Sequence, residues 1–192
     1  MGVSKQQAAE NRNAIVAAAE RLFRVRGVDA VGLTELMKEA GFTQGGFYNH
    51  FKSKDALVAA VMEKAMQDRA DSPNAGSLEK QAARYLSTAH RDNVEAGCAL
   101  SGFAGDAPRM TDAARERYAR GLAAYLERLE RMIAPEGVTT EQTRSDAIAK
   151  FSQMVGALLL SRAIACTDPA FADEILEAGR RSLVDALDDP AA

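Results

Sequence analysis

Few of the residues that reactive chemistry requires are present in this chain. It has two cysteines in 192 residues, Cys98 and Cys166, in no C-x-x-C or Cys/His ligand spacing, which excludes a disulfide scaffold and a zinc module. Its two histidines, His50 and His90, stand in no H-E-x-x-H array, and no nucleophile elbow, phosphate loop or dinucleotide fingerprint occurs. Catalysis, a metal and an organic cofactor are therefore not expected. The longest apolar run, Met154 to Leu160, is far below the ~20 residues a bilayer span needs. Residues Met1 to Gln6 contain no apolar signal region, and Gln6 stands where a myristoylation motif has Ser or Thr. A soluble cytoplasmic protein with no membrane partner is expected. No stretch alternates at period two, and no repeat or low-complexity segment occurs.

What the chain does have is helical periodicity. With 47% hydrophobic and 27% charged residues it can bury a core. Ile15, Ala19, Leu22 and Phe23 share a face of a first helix, from about Gln6 to Arg26, that Gly27 can end in the left-handed conformation. Leu33, Leu36, Met37 and Ala40 give a short second helix stopped by Gly41, and Gln44 to about Phe51 forms a brief third. Ser53 caps a fourth, carrying Leu57, Ala60, Val61 and Ala65. The breaker cluster Ser72 to Ser77 ends this first module. Leu78, Ala82, Tyr85, Leu86 and Ala89 predict a fifth helix, and Gly97 to Met110 a short, interrupted sixth. Tyr118 to Met132 marks a seventh, ended by Pro135 and Gly137; Ile148 to Ala163 and Ile175 to Leu187 give the eighth and ninth. The expected fold is all-α with about nine helices: a head over 1–53, a connecting helix over 54–70 and a body over 71–192.

Charge divides along the chain. Residues 1–60 carry 8 Lys/Arg against 6 Asp/Glu, a net +2, so the rest of a chain with net charge −3 carries −5. A weakly basic head on an acidic body can set cations against phosphate locally.

The informative block is Leu33 to Leu57, where short helix, Gly turn and short helix make a helix-turn-helix pattern. Gly45-Gly46 opens its last helix, although each glycine costs ~1 kcal/mol against Ala in a helix. Either the pair relieves a crowded packing corner, or it lets the backbone approach another surface closely. Thr43 and Gln44 project from the leading edge and suit base edges. Tyr48, Asn49, His50, Lys52 and Lys54 add donors, while Phe47 and Phe51 face the core.

Residues Gln6 to about Met66 resemble the DNA-binding domain of the TetR/AcrR family of bacterial transcriptional regulators. The likeness is carried by Ala19 to Phe23, Gly27, Leu36, Ala40-Gly41, Gly46-Phe47-Tyr48, Phe51, and Ser53-Lys54 with Leu57. It implies a homodimer whose heads bind a palindromic operator in duplex DNA and whose bodies bind a small effector. Position by position, it puts Thr43, Gln44 and Gly45 at bases, Thr34, Tyr48, His50 and Lys54 at phosphates, and Asn49 at either. Gly32 departs from the pattern, which has a capping Ser or Thr there.

In the body, the eighth and ninth helices resemble the family's dimer interface in position, with Gly156, Leu159, Ala163 and Leu183 as candidates; intrasubunit core is the alternative. Phe103, Met110, Tyr118, Leu122, Tyr125 and Met154 are candidate walls for an apolar or aromatic effector. His90, Asp106, Arg109 and Arg162 are candidate polar anchors or surface ion pairs. Cys98, after Gly97, is either a thiol sensor of electrophiles or oxidants or inert core. A helical adaptor that has lost DNA binding is the reading from a different class, against which the intact Thr43-Gln44 and Lys54 count.

Overall fold

In the computed structural model, residues 4–70, 76–134 and 138–188 are described, and every regular element among them is helical. Among the described residues nine α-helices and two short 3-10 segments follow one another. The expected breakers at 72–75 and at Pro135 and Gly137 lie outside the described residues.

Helix α1, Lys5–Arg26, begins where the Ser4 side chain accepts a hydrogen bond from the Gln7 N–H at 3.1 Å. Its apolar stripe buries Ile15, Val16, Ala19 and Phe23. Gly27 ends it with φ +82° but ψ 155°, an extended conformation open essentially to glycine alone, rather than the left-handed helical one. Helix α2, Leu33–Glu39, buries Leu36 and Met37, and Gly41 turns the chain at φ +83°. The next element, Gln44–Asn49, is 3-10 rather than α-helical. Two glycines disfavour the α conformation, and the Thr43 side chain makes no capping bond. Helix α3, Lys54–Ala70, starts at Ser53, whose hydroxyl accepts from the Ala56 N–H.

Two compact units emerge, and they differ from the expected head, connector and body. The first joins Met1–Asp71 to Cys98–Gly121, and the second joins Ser72–Gly97 to Leu122–Ala192. In the first unit the single turn α6, Ala99–Gly102, packs on α1 and α3 and buries Leu100 and Phe103. The 3-10 turn Ala107–Arg109 follows it. Asp106 accepts from the Val28 N–H at 3.4 Å, and Arg109 joins both Asp106 and Asp29. Buried Glu20 bridges Arg24 on its own helix and Lys64 on α3. Hydrogen bonds to Asp68 and then Glu20 hold the Lys64 ammonium above its ordinary pKa.

In the second unit the expected fifth helix divides. Helix α4, Leu78–Tyr85, stops at Leu86, and α5, Thr88–Asp92, restarts at Ser87. The Ser87 hydroxyl accepts from the His90 N–H and donates to the Arg84 carbonyl. That local bonding competes with continued helix and puts Ala89 on a new axis. Helices α8, Glu141–Ile164, and α9, Pro169–Asp188, form a hairpin, clamped where the buried Ser161 hydroxyl donates to the Ala172 carbonyl at 2.8 Å. Phe151 on α8 lies 4.4 Å from the Tyr125 ring, and the Gln81 amide donates to the Tyr125 hydroxyl. Helix α8 is long and apolar enough to cross a bilayer by length and composition, although its longest uninterrupted apolar run is short; only 28% of its most apolar window is buried. That is weak evidence for a span, because α8 is a packed hairpin helix with Lys150 and Arg162 in its apolar half.

Helix α7, Asp112–Ile133, touches α3 at one close point. A Cβ on Gly121 would press on the Met66 side chain, with even the Met66 Cβ only 2.9 Å away. Gly121→Ala should therefore destabilise the protein by roughly 1–3 kcal/mol in urea melts, the cost of overpacking. A variant as stable as the parent would show that the two helices separate freely.

Candidate nucleic-acid interface

The reading surface is built from a short turn on an aromatic base. Phe47 is 0% exposed, and its ring stacks on that of Phe51 at 5.7 Å. Sequence periodicity predicted both as inward. With those rings fixed, Thr43, Gln44, Gly45, Tyr48 and Asn49 are all exposed, and Tyr48 reaches 67% exposure. An exposed ring of that size is unusual unless something covers it in use. His50 is half-buried, its ring 6.4 Å from Phe42. Lys54 is half-buried as well, its ammonium 5.9 Å from the Phe23 ring centroid.

Thr34 and Gln44, ten residues apart, meet on this surface. The Thr34 hydroxyl donates to the Gln44 side-chain carbonyl at 2.8 Å. That bond orients the amide and leaves its N–H₂ group and the second lone pair of its oxygen for another partner. The spacing alone did not signal this coupling.

The surroundings of Gly45 and Gly46 speak against a crowded packing corner. A Cβ on Gly45 would meet nothing within 4 Å, and one on Gly46 would make only ordinary contacts at 3.8 Å. Neither has the positive φ that favours glycine. Crowding within the chain does not explain the pair. Gly32 caps α2 without a side-chain bond, as its departure from Ser or Thr implied.

The other predicted residues are distributed between the units. Phe103, Met110 and Tyr118 belong to the first, and Leu122, Tyr125 and Met154 to the second. Phe103 and Met154 are wholly buried. The Tyr118 hydroxyl donates to the Leu100 carbonyl, and burial, then the nearby Cys98, pushes the phenol up to about 12. Met110 lines a surface pocket with Val28, Asp29, Asp55, Val58, Asp106, Arg109 and Thr111, three of them carboxylates. Among the anchor candidates, Asp106 and Arg109 bond within the first unit as described, and Arg162 donates to the His90 and Arg91 carbonyls. The His90 ring bonds the Tyr85 carbonyl. Each of the four is thus bonded within its own unit.

Cys98 is buried and caps a helix of only four residues, too short for a substantial dipole. No group of three or more His, Cys, Asp or Glu among the described residues can hold a metal. On α8, Leu159 and Leu160 are 40% and 62% exposed, Ala163 is exposed and a Cβ on Gly156 would meet open space. Leu183 differs from the expectation of an interface position: at 1% exposure it lies in the interior of its own unit.

A donor-rich turn following a short helix and a glycine corner defines a helix-turn-helix protein. Residues 15–61 match the model of the bacterial regulatory proteins, tetR family. A stretch of 60 residues is 43% identical to the HTH-type transcriptional regulator AcrR of Shigella flexneri, covering 31% of this chain and 28% of that one. A stretch of 62 residues is 42% identical to the HTH-type transcriptional repressor BepR of Brucella suis, covering 32% and 30%. The aligned stretch thus spans under a third of these relatives' own length. A TetR-family transcriptional regulator from Agrobacterium tumefaciens shares the fold over 93% of this chain and 98% of its own, with a TM-score of 0.74 at 18% identity. Over residues 15–61 the chain is thus similar to the tetR family of bacterial regulatory proteins, and it shares the fold of solved TetR-family regulators over nearly its whole length.

Since a Cβ at position 45 would meet open space among the described residues, Gly45→Ala should leave stability unchanged or raise it by up to ~1 kcal/mol. Thermal and urea melts check this. A destabilised variant would return the glycine to a role in packing.

Proposed function

We propose that the protein is a DNA-binding transcriptional regulator, a homodimeric repressor released from a palindromic operator by a small apolar or aromatic effector, acting in the bacterial cytoplasm. The observation that supports the reading is the exposed donor surface of residues 43–49, with two glycines that no crowding among the described residues requires. Two bare glycines let the turn sink toward the major-groove floor. Thr43, Gln44, Gly45 and Asn49 then face bases. Gln44, its amide held by Thr34, can accept from and donate to an adenine edge together. Thr34, Tyr48, His50 and Lys54 reach phosphates and fix register without reading sequence.

Dimerisation is supported by the exposed apolar face of α8. Ile148, Leu159 and Ala163 share one side of that helix with Val155 and Gly156, and Phe171 adds an exposed ring from α9. A self-complementary apolar face of this kind suits a two-fold partner. Each unit by itself contains apolar and aromatic side chains suited to an effector's wall: Leu122, Tyr125 and Met154 in the second, and Phe103, Met110 and Tyr118 in the first. Release requires the effector to bind the DNA-free conformation more tightly than the bound one.

Duplexes selected from a random library should contain two half-sites related by a dyad, and Gln44→Ala should cost roughly 1–3 kcal/mol and relax preference at one base pair in each half. Selected sites without a dyad would contradict the paired geometry. Leu159→Glu places an unpaired carboxylate in the proposed dimer face. Sedimentation should then give monomers in place of the wild-type dimer; a monomeric wild type at micromolar concentration would remove the interface.

A further inference from the structure

The buried stripe of α1 does not end at Ile15. A helix turns 100° per residue, so one turn before Ile15 and Val16 the same side of α1 carries Arg12, and two turns further back Lys5. Where the stripe would call for an apolar side chain there is a guanidinium, its carbon 4.7 Å from the centroid of the Phe51 ring. Phe51 is the residue between His50 and Lys52, so the stack sits at the end of the reading turn, 39 positions along the chain from Arg12.

The ion pairs of this unit set Arg12 apart. Arg21, Arg24 and Arg26 of the same helix are matched by Glu39, Glu20 and Glu35. Among the described residues Arg12 has no carboxylate, and its one recorded interaction is the Phe51 ring. An arginine already paired gains little from a phosphate, since one anion is exchanged for another. An unpaired one gains the full counterion release. The stack on the face of the Phe51 ring orients the exposed guanidinium while leaving its in-plane N–H donors for a forked acceptor.

We infer that Arg12, outside the helix-turn-helix unit, anchors a DNA phosphate, with Phe51 as the platform that aims it. The inference rests on the DNA-binding reading above. It gives that reading a contact from the first helix, so each head grips the backbone from α1 as well as from Thr34, Tyr48, His50 and Lys54.

The test is the salt dependence of binding by the full-length dimer to a duplex selected from a random library and to an unrelated duplex of equal length. Loss of one phosphate contact per head should reduce the slope of log affinity against log salt by about 1.8 per dimer. Arg12→Gln should show that reduction and weaken both duplexes by the same factor, leaving base preference intact. Arg12→Lys should keep the slope, since it keeps the charge. Circular dichroism and thermal melts establish that both variants are folded. Unchanged affinity and slope in Arg12→Gln overturn the anchor while leaving the DNA-binding reading intact. Equal losses in Arg12→Gln and Arg12→Lys overturn it too, by assigning Arg12 a packing role. A wild type that binds no duplex at any salt concentration overturns the reading and the anchor together.

Discussion

A six-residue 3-10 segment containing two glycines has no means of holding its own shape. It closes few hydrogen bonds, its geometry is poorer than that of an α-helix, and glycine raises the entropy lost on ordering it. What fixes Gln44–Asn49 is the burial of Phe47, stacked on Phe51 and enclosed by the core that also contains Phe23, Leu36 and Leu57. Fully burying one such ring contributes roughly 1.5–3 kcal/mol, and that energy is spent on a backbone conformation the segment would not otherwise keep. The direction of every exposed donor on the turn follows from where that ring is held.

From this constraint the division of labour within the first unit follows. Charges are neutralised where helices must stay together: Glu20 between Arg24 and Lys64, and Asp106 at the Val28 N–H and Arg109. Among the described residues Arg12 and Lys54 have no carboxylate partner and lie instead over the Phe51 and Phe23 rings. A net charge of −3 for the whole chain conceals this, because the acids that outnumber the bases lie mostly in the rest of the sequence. Affinity for a polyanion depends on which cations are left without partners.

Much of the head was legible in the sequence because its signals are local. The α1 stripe, the Gly41 turn and the inward Phe47 and Phe51 all follow from spacing within a few residues. The parts that were not legible depend on competition or on distance. Leu78 to Ala89 carries one apolar periodicity, yet the Ser87 hydroxyl bonds backbone on both sides and divides the segment into two helices. Cys98–Gly121 looked like part of the body, yet Leu100 and Phe103 are buried in a unit whose other residues lie far earlier in the chain. Leu183 carries the same apolar character as Leu159, and only the packing of α9 on α8 separates the buried one from the exposed one. The Thr34–Gln44 bond joins two elements across a corner, which no periodicity reports.

The proposed role of residues 43–49 is to enter the major groove. Amide chemical-shift mapping of the full-length protein, titrated with a duplex selected from a random library, tests it most directly. The largest shifts should fall on Thr43 to Asn49 and on Thr34, with the core amides of Leu36 and Leu57 little changed. Binding that leaves residues 43–49 unperturbed, with the shifts gathered elsewhere on the chain, would contradict it.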